Sequence, residues 1–146
     1  RVIGDLDPFG PDVLDLVQRT ERRTADNDKL QLVIAINYGG RWDVVSACRK
    51  LAMGVAEGAL STEDIDERSV SEALSTSTLP DPDLCIRTGG EYRISNFLLW
   101  QLAYTELYFS EVLWPEFREV DFVDALSWYA TRDRRFGKTQ DQVRVS

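Results

Sequence analysis

The stretch from Asp83 to Trp114 limits the possible folds more than any other part of the chain, because it places a strand, a glycine turn and a cluster of cationic and hydroxyl side chains in immediate succession. Leu84, Cys85 and Ile86 form a short apolar run that suits a buried strand, and the run delivers Arg87 to that strand's C-terminal end. Thr88, Gly89 and Gly90 then read as a turn whose glycines let backbone N–H groups approach a ligand closely. Arg93 follows, and Ser95-Asn96 reads as an N-cap pair before a helix that opens with Phe97-Leu98-Leu99-Trp100. A strand end, a glycine turn, two guanidinium groups, a hydroxyl and a helix N-terminus all attract one kind of ligand, a phosphate or diphosphate. Each part also has a plainer reading. A lone Gly-Gly is ordinarily a turn, and an arginine after a strand is ordinarily solvated or ion-paired. The residues alone leave both readings open.

The rest of the chain alternates strand and helix patterns. Arg1–Gly4 reads as a strand, 11–23 as a helix with Val13, Leu14, Leu16 and Val17 at helical spacing, and Leu30–Ile36 as a parallel strand buried on both faces. A helix is expected over 41–60, with Val44, Cys48, Leu51, Val55 and Ala59 as its core stripe. Ser69 and Glu72 fit a capping box. Glu106–Phe109 reads as a short strand, and a last helix runs from Asp121, its expected N-cap, to about Arg134, with Phe122, Leu126 and Tyr129 facing inward and Gly137 as its stop. This alternation predicts one α/β domain over residues 1–146, with a largely parallel central sheet flanked by helices. In such sheets ligands collect beyond the C-terminal strand ends, where Arg87 falls.

Composition removes several function classes. A net charge of −8 argues against a nucleic-acid surface, and the absence of histidine excludes His-based catalysis and most zinc sites. Cys48 and Cys85 lie in apolar surroundings without metal-like spacing, so both are expected to be buried, reduced thiols of a cytosolic protein. No apolar run is long enough to span a bilayer. The chain opens at Arg1 inside a strand pattern, which suggests the C-terminal portion of a longer polypeptide.

Ile86-Arg87-Thr88-Gly89-Gly90-Glu91, Arg93 through Gln101 and Glu106-Leu107-Tyr108-Phe109 together closely resemble the signature of the cis-prenyltransferases, in particular the undecaprenyl diphosphate synthases. Asn37-Tyr38-Gly39-Gly40-Arg41-Trp42-Asp43 and Arg132-Asp133-Arg134-Arg135-Phe136-Gly137 resemble two further family motifs. The resemblance implies that isopentenyl diphosphate condenses onto an allylic diphosphate such as farnesyl diphosphate, with Mg²⁺ assistance, to give a cis-polyprenyl diphosphate carrier lipid for the cell wall. It implies that Arg87, Arg93, Ile94 and Ser95 hold the isopentenyl diphosphate, with Gly89 and Gly90 as the loop, and that Glu106 is a Mg²⁺ ligand. Arg135 and Gly137 resemble an element that reaches the neighbouring subunit's substrate, which implies a homodimer; Trp100, Tyr104, Tyr108 and Phe109 suit packing or a subunit interface. The product is a membrane lipid, so a cytoplasmic protein with transient contact at the inner membrane face is expected.

Two departures qualify the match. Tyr92 stands where many relatives carry a histidine, and the family's first motif, Asp-Gly-Asn-x-Arg-x-Trp, with its Mg²⁺-binding aspartate and allylic loop, does not occur in these residues. Half an active site is therefore expected here, and residues 1–146 alone are expected to be inactive. The rival reading is a non-catalytic partner subunit of a heteromeric cis-prenyltransferase; such partners typically degrade the Arg-Thr-Gly-Gly and Glu positions, which are intact. An unrelated phosphate-binding hydrolase would need a nucleophile or general base that the sequence does not offer.

Overall fold

A computed structural model of the chain describes residues 1–132. Strands and helices alternate except between the third and fourth strands, where no helix intervenes, and both strand pairs are parallel, giving an α/β fold. The chain divides into two compact units, one formed by Arg1–Pro80 with Asn96–Trp100 and the other by Asp81–Ser95 with the described residues from Gln101 onward.

In the first unit β1 (Val2–Ile3) pairs with β2 (Ile34–Ala35), and α1 (Gly10–Thr24) connects them close to the predicted limits, with Pro11 in its first turn. The strand expected over Leu30–Ile36 is corrected. Only Ile34 and Ala35 are strand, both are exposed, and Leu30 is 79% exposed. Among the described residues this run bonds only to β1 and the Arg1 before it, through Arg1 N to Leu32 O, Ile34 N to Arg1 O and Ile36 N to Ile3 O, each at 2.9 Å. Apolar composition marks a strand that can be buried, but burial needs a neighbour that periodicity does not supply.

α2 (Gly40–Ala56) buries Gly40, Asp43 and Ala47, one helical row, instead of the predicted stripe; Cys48 and Ala59 are exposed. A buried acid is invisible to a search for apolar spacing, so the stripe was placed on the neighbouring row. α3 (Glu67–Ala73) packs on α2 and carries a capping box one turn earlier than expected: Asp66 Oδ1 accepts the Ser69 N–H and Ser69 Oγ accepts the Asp66 N–H, both at 2.8 Å. Ser69 is thus the third helical residue of the box, and Glu72 pairs instead with Arg68 at 2.7 Å.

In the second unit β3 (Leu84–Arg87) and β4 (Glu106–Phe109) form where the sequence placed them, in register from Leu84↔Glu106 to Arg87↔Phe109. α4 (Glu119–Ala130) starts before the expected cap, and Asp121 instead accepts the Arg118 N–H at 2.7 Å from the third helical position. Its inward face is led by the fully buried Ala125, with Trp128 5.3 Å from Tyr108 of β4; Phe122 and Leu126 are exposed, a correction to the expected face. The predicted helix end near Arg134 and the Gly137 stop lie outside the described residues. Among the described residues no helix is long and apolar enough to cross a membrane.

Candidate functional site

β3 carries Arg87 to its C-terminal end, and the chain then turns back along the residues that follow β4. Arg87 O accepts the Ser110 N–H at 2.7 Å, Gly89 donates to Val112 O at 2.8 Å and Gly90 donates to Ser110 O at 3.0 Å. These bonds lace the glycine turn to Ser110–Val112 and extend the two-stranded ladder beyond its last pair. The expectation that the glycine N–H groups face a ligand is therefore corrected for Gly89 and Gly90, whose amides are already spent. The role of these glycines is conformational: φ is +86° at Gly89 and +68° at Gly90, where a side chain would be strained.

Within this loop Arg87 is half-buried, and its Nε is buried without a hydrogen-bond partner among the described residues. Buried polar atoms are almost always satisfied, so an orphaned guanidinium N–H beside an open turn marks a place for an acceptor. Arg93 is 68% exposed and pairs with Glu91, and Ile94 is half-buried. Tyr92 is exposed, donates its phenol proton to Glu111 and lies against Phe109 with ring centroids 5.4 Å apart. The hydrogen bond to Glu111, and then the charge of that carboxylate, hold the phenol above its ordinary pKa. On β3 itself, burial pushes the Cys85 thiol up, against the opposing charge of Arg87.

The helix expected from Asn96 does not form. Residues 95–104 are turns, and Ser95, Asn96 and Leu98 have φ of 47°, 63° and 46°, values that cannot propagate a right-handed helix. The helix-dipole part of the proposed cradle is lost with it. Asn96 is a cap after all, but for α2, more than fifty residues earlier in the chain: Asn96 Oδ1 accepts the Arg41 N–H at 2.9 Å and Asn96 O accepts the Gly40 N–H at 2.6 Å. A Cβ on Gly39 would lie 2.7 Å from Asn96 Nδ2, and one on Gly40 would lie 2.7 Å from Leu99 Cγ. The two glycines thus admit the 96–99 turn to the helix end. Beside them, Asp43 is only 2% exposed and accepts the Tyr38 phenol and the Ser75 N–H, both at 2.9 Å. The sequence showed the 37–43 motif but neither the Asp43 node nor the capping role of Asn96; in a helix that also carries Arg41, Ser46, Arg49 and Lys50, one more polar residue gave no signal of burial.

Glu106 is not brought to Arg87. The register sets it opposite Leu84, three strand residues from the Arg87 end, which is roughly 10 Å along the strands. Its carboxylate accepts from Arg132 Nε at 3.1 Å, and Arg132 also lies over the Trp128 ring at 5.2 Å. No group of three or more metal-ligating side chains comes together among the described residues. A single carboxylate suits Mg²⁺ only as one ligand among diphosphate oxygens and water. Arg135 and Gly137 lie outside the described residues. A cavity of about 660 Å³ lined by Val17, Leu30, Leu32 and Ile34, among others, contains none of the predicted site residues.

The chain is similar to known prenyl diphosphate synthases. The family described as "Putative undecaprenyl diphosphate synthase" matches residues 1–137. The chain is 52% identical, over 143 residues, to a ditrans,polycis-undecaprenyl-diphosphate synthase ((2E,6E)-farnesyl-diphosphate specific) of Pseudomonas syringae pv. tomato, covering 98% of this chain and 57% of that protein. It is 51% identical over 140 residues to the enzyme of the same name from Escherichia coli K12, covering 96% of this chain and 55% of that one. Among solved structures, lavandulyl diphosphate synthase from Lavandula x intermedia in complex with dimethylallyl diphosphate superposes with a TM-score of 0.90 at 43% identity, covering 94% of this chain and 59% of that one. The chain spans a little over half the length of the curated relatives it matches.

Proposed function

The chain belongs to the undecaprenyl diphosphate synthase family of prenyltransferases, and on that premise we propose that its protein condenses isopentenyl diphosphate onto farnesyl diphosphate, with formation of cis double bonds, to build an undecaprenyl diphosphate. The names of the relatives support this reading over a non-catalytic partner subunit. The observation that carries it in this chain is the buried Nε of Arg87 at the end of β3, which has no hydrogen-bond partner among the described residues. A diphosphate oxygen supplies the missing acceptor, and the planar guanidinium can take two such oxygens at once. Arg93, once it leaves Glu91, adds a second guanidinium, and the Ser95 hydroxyl a neutral donor, with the Ile94 backbone between them.

Mg²⁺ is the proposed cation, with Glu106 as the carboxylate this chain contributes once Arg132 releases it. Bound there, the cation offsets negative charge on a diphosphate; the residues described here bind and orient substrate. Residues 1–146 are proposed to form one portion of a single catalytic domain, without turnover on their own, because these residues lack the allylic Asp-Gly-Asn motif. A cytoplasmic homodimer with transient contact at the membrane face completes the proposal, with Arg135 and Gly137 serving the partner subunit's substrate.

The test separates diphosphate recognition from structural support. In the intact protein Arg87→Ala is expected to weaken isopentenyl diphosphate binding by about one to two decades, since a charge-assisted hydrogen bond contributes roughly 1.5–3 kcal/mol. Farnesyl diphosphate affinity should change less, and Arg87→Lys should restore part of the loss. Equal weakening of both substrates together with a large fall in melting temperature would make Arg87 a structural residue and remove the proposed site.

A further inference from the structure

The notch left by the missing side chain of Gly90 is already filled by an anion. A Cβ built on Gly90 would meet Glu111 Oε2 at 2.7 Å, so this carboxylate occupies the space that the missing side chain leaves beside the turn. The other oxygen of the same carboxylate, Oε1, accepts the Tyr92 phenol proton. A phenol has only one proton to donate, and while Glu111 is ionised that proton is directed at a carboxylate and away from any ligand. Phe109 steadies the ring in this position. Arg93 is held in the same way, by Glu91. Two exposed donors of the loop, Tyr92 and Arg93, are thus engaged by acids of the chain, whereas the half-buried Arg87 keeps a buried Nε with no partner among the described residues.

Resting on the diphosphate reading of this loop, we propose that Glu111 is a resident anion: it occupies the Gly90 notch, takes the Tyr92 donor and must be displaced by the incoming diphosphate. Glu111 is then a positioning residue that acts through Tyr92 and lowers the affinity of the loop for diphosphate. Such a group limits how long a diphosphate is retained in this loop, which matters because the isopentenyl diphosphate group stays on the lengthened product and must leave the loop before the next isopentenyl diphosphate can bind. Chain-internal carboxylates can serve this purpose because they present the same oxygen acceptors as phosphate with a smaller charge.

Calorimetric titration of inorganic pyrophosphate into the intact protein tests the inference, using Glu111→Gln, Tyr92→Phe, the double variant and Arg87→Ala. Glu111 is exposed, so Glu111→Gln should fold as the parent does. Glu111→Gln is expected to bind pyrophosphate about three- to tenfold more tightly, the scale of removing one partly screened like charge. Tyr92→Phe should change little on its own, but should cost about threefold in the Glu111→Gln background, where only a neutral amide oxygen competes with the ligand for the phenol proton. As an independent readout, the phenol absorbance component that Tyr92→Phe removes should titrate at lower pH once Glu111 loses its charge. Unchanged or weaker binding by Glu111→Gln, with Arg87→Ala weakened as expected, overturns the resident anion and leaves the diphosphate site standing. If Arg87→Ala binds pyrophosphate as the parent does, the diphosphate site fails and the resident anion falls with it.

Discussion

Gly39-Gly40 and Gly89-Gly90 look alike in sequence but serve different purposes. At Gly39-Gly40 the space opened by the missing side chains is filled by Asn96 and Leu99, and the freed helix N–H groups of Gly40 and Arg41 are taken by Asn96. Asp43 completes the region by accepting from Tyr38 and Ser75. At Gly89-Gly90 the backbone is satisfied by Ser110 and Val112, but the side chains around it are held by acids of the chain or, at Arg87 Nε, by nothing described. The first region is closed by the chain itself. The second keeps exchangeable partners, which is what a ligand site requires. A glycine pair therefore reports only that something approaches closely, and the polar groups around it decide whether that is the chain or a ligand.

Substitutions in the closed region should register mainly as stability. The largest effect is expected from Asp43→Ala, which buries the Tyr38 hydroxyl and the Ser75 N–H without this acceptor; a loss of about 2–4 kcal/mol in denaturant unfolding is expected. A change below about 0.5 kcal/mol would show that water reaches these groups and that the region is not closed. Gly40→Ala comes next. Its Cβ would meet Leu99 N at 2.9 Å as well as Leu99 Cγ, and overpacking of this kind costs about 1–3 kcal/mol. Asn96→Ala removes the side-chain cap while leaving the carbonyl bond to Gly40, so about 1 kcal/mol should be lost. Loss of isopentenyl diphosphate binding by Asn96→Ala at unchanged stability would instead move Asn96 into the open region and break the contrast.

The smallest expected effect compares the two thiols. Cys48 is exposed on α2, whereas Cys85 is half-buried on β3 with its thiol pushed up by burial. Alkylation under mildly alkaline conditions should therefore label Cys48 first, since the thiolate is the reacting form. The sign for stability follows from the same shift. The native state holds the Cys85 proton at a pH where the unfolded chain has lost it. This contribution is complete below the ordinary thiol pKa and is lost as pH rises through the raised native value. Faster labelling of Cys85 would show that β3 opens more readily than its packing suggests.

Local order fixed part of this protein. The strand at Leu84–Arg87, the strand at Glu106–Phe109 and helix α1 follow from apolar runs, helical spacing and proline at a helix start, all of which act between residues close in the chain. The motifs, being ordered and long, were enough to identify the family. Tertiary structure decided the rest, because those outcomes depend on partners far away in sequence. Ser95-Asn96 carries a good local cap signal, yet Asn96 caps α2, since a side-chain oxygen is bound wherever unsatisfied N–H groups are brought to it. Leu30–Ile36 has the composition of a central strand, yet it is exposed where no described neighbour covers it. Tyr92 shows in the sequence only as a departure from the family's histidine, and the fold alone shows that Glu111, nineteen residues on, accepts its proton. Sequence pattern encodes what each residue can bond to; which partner it meets is set by the long-range contacts of the folded chain.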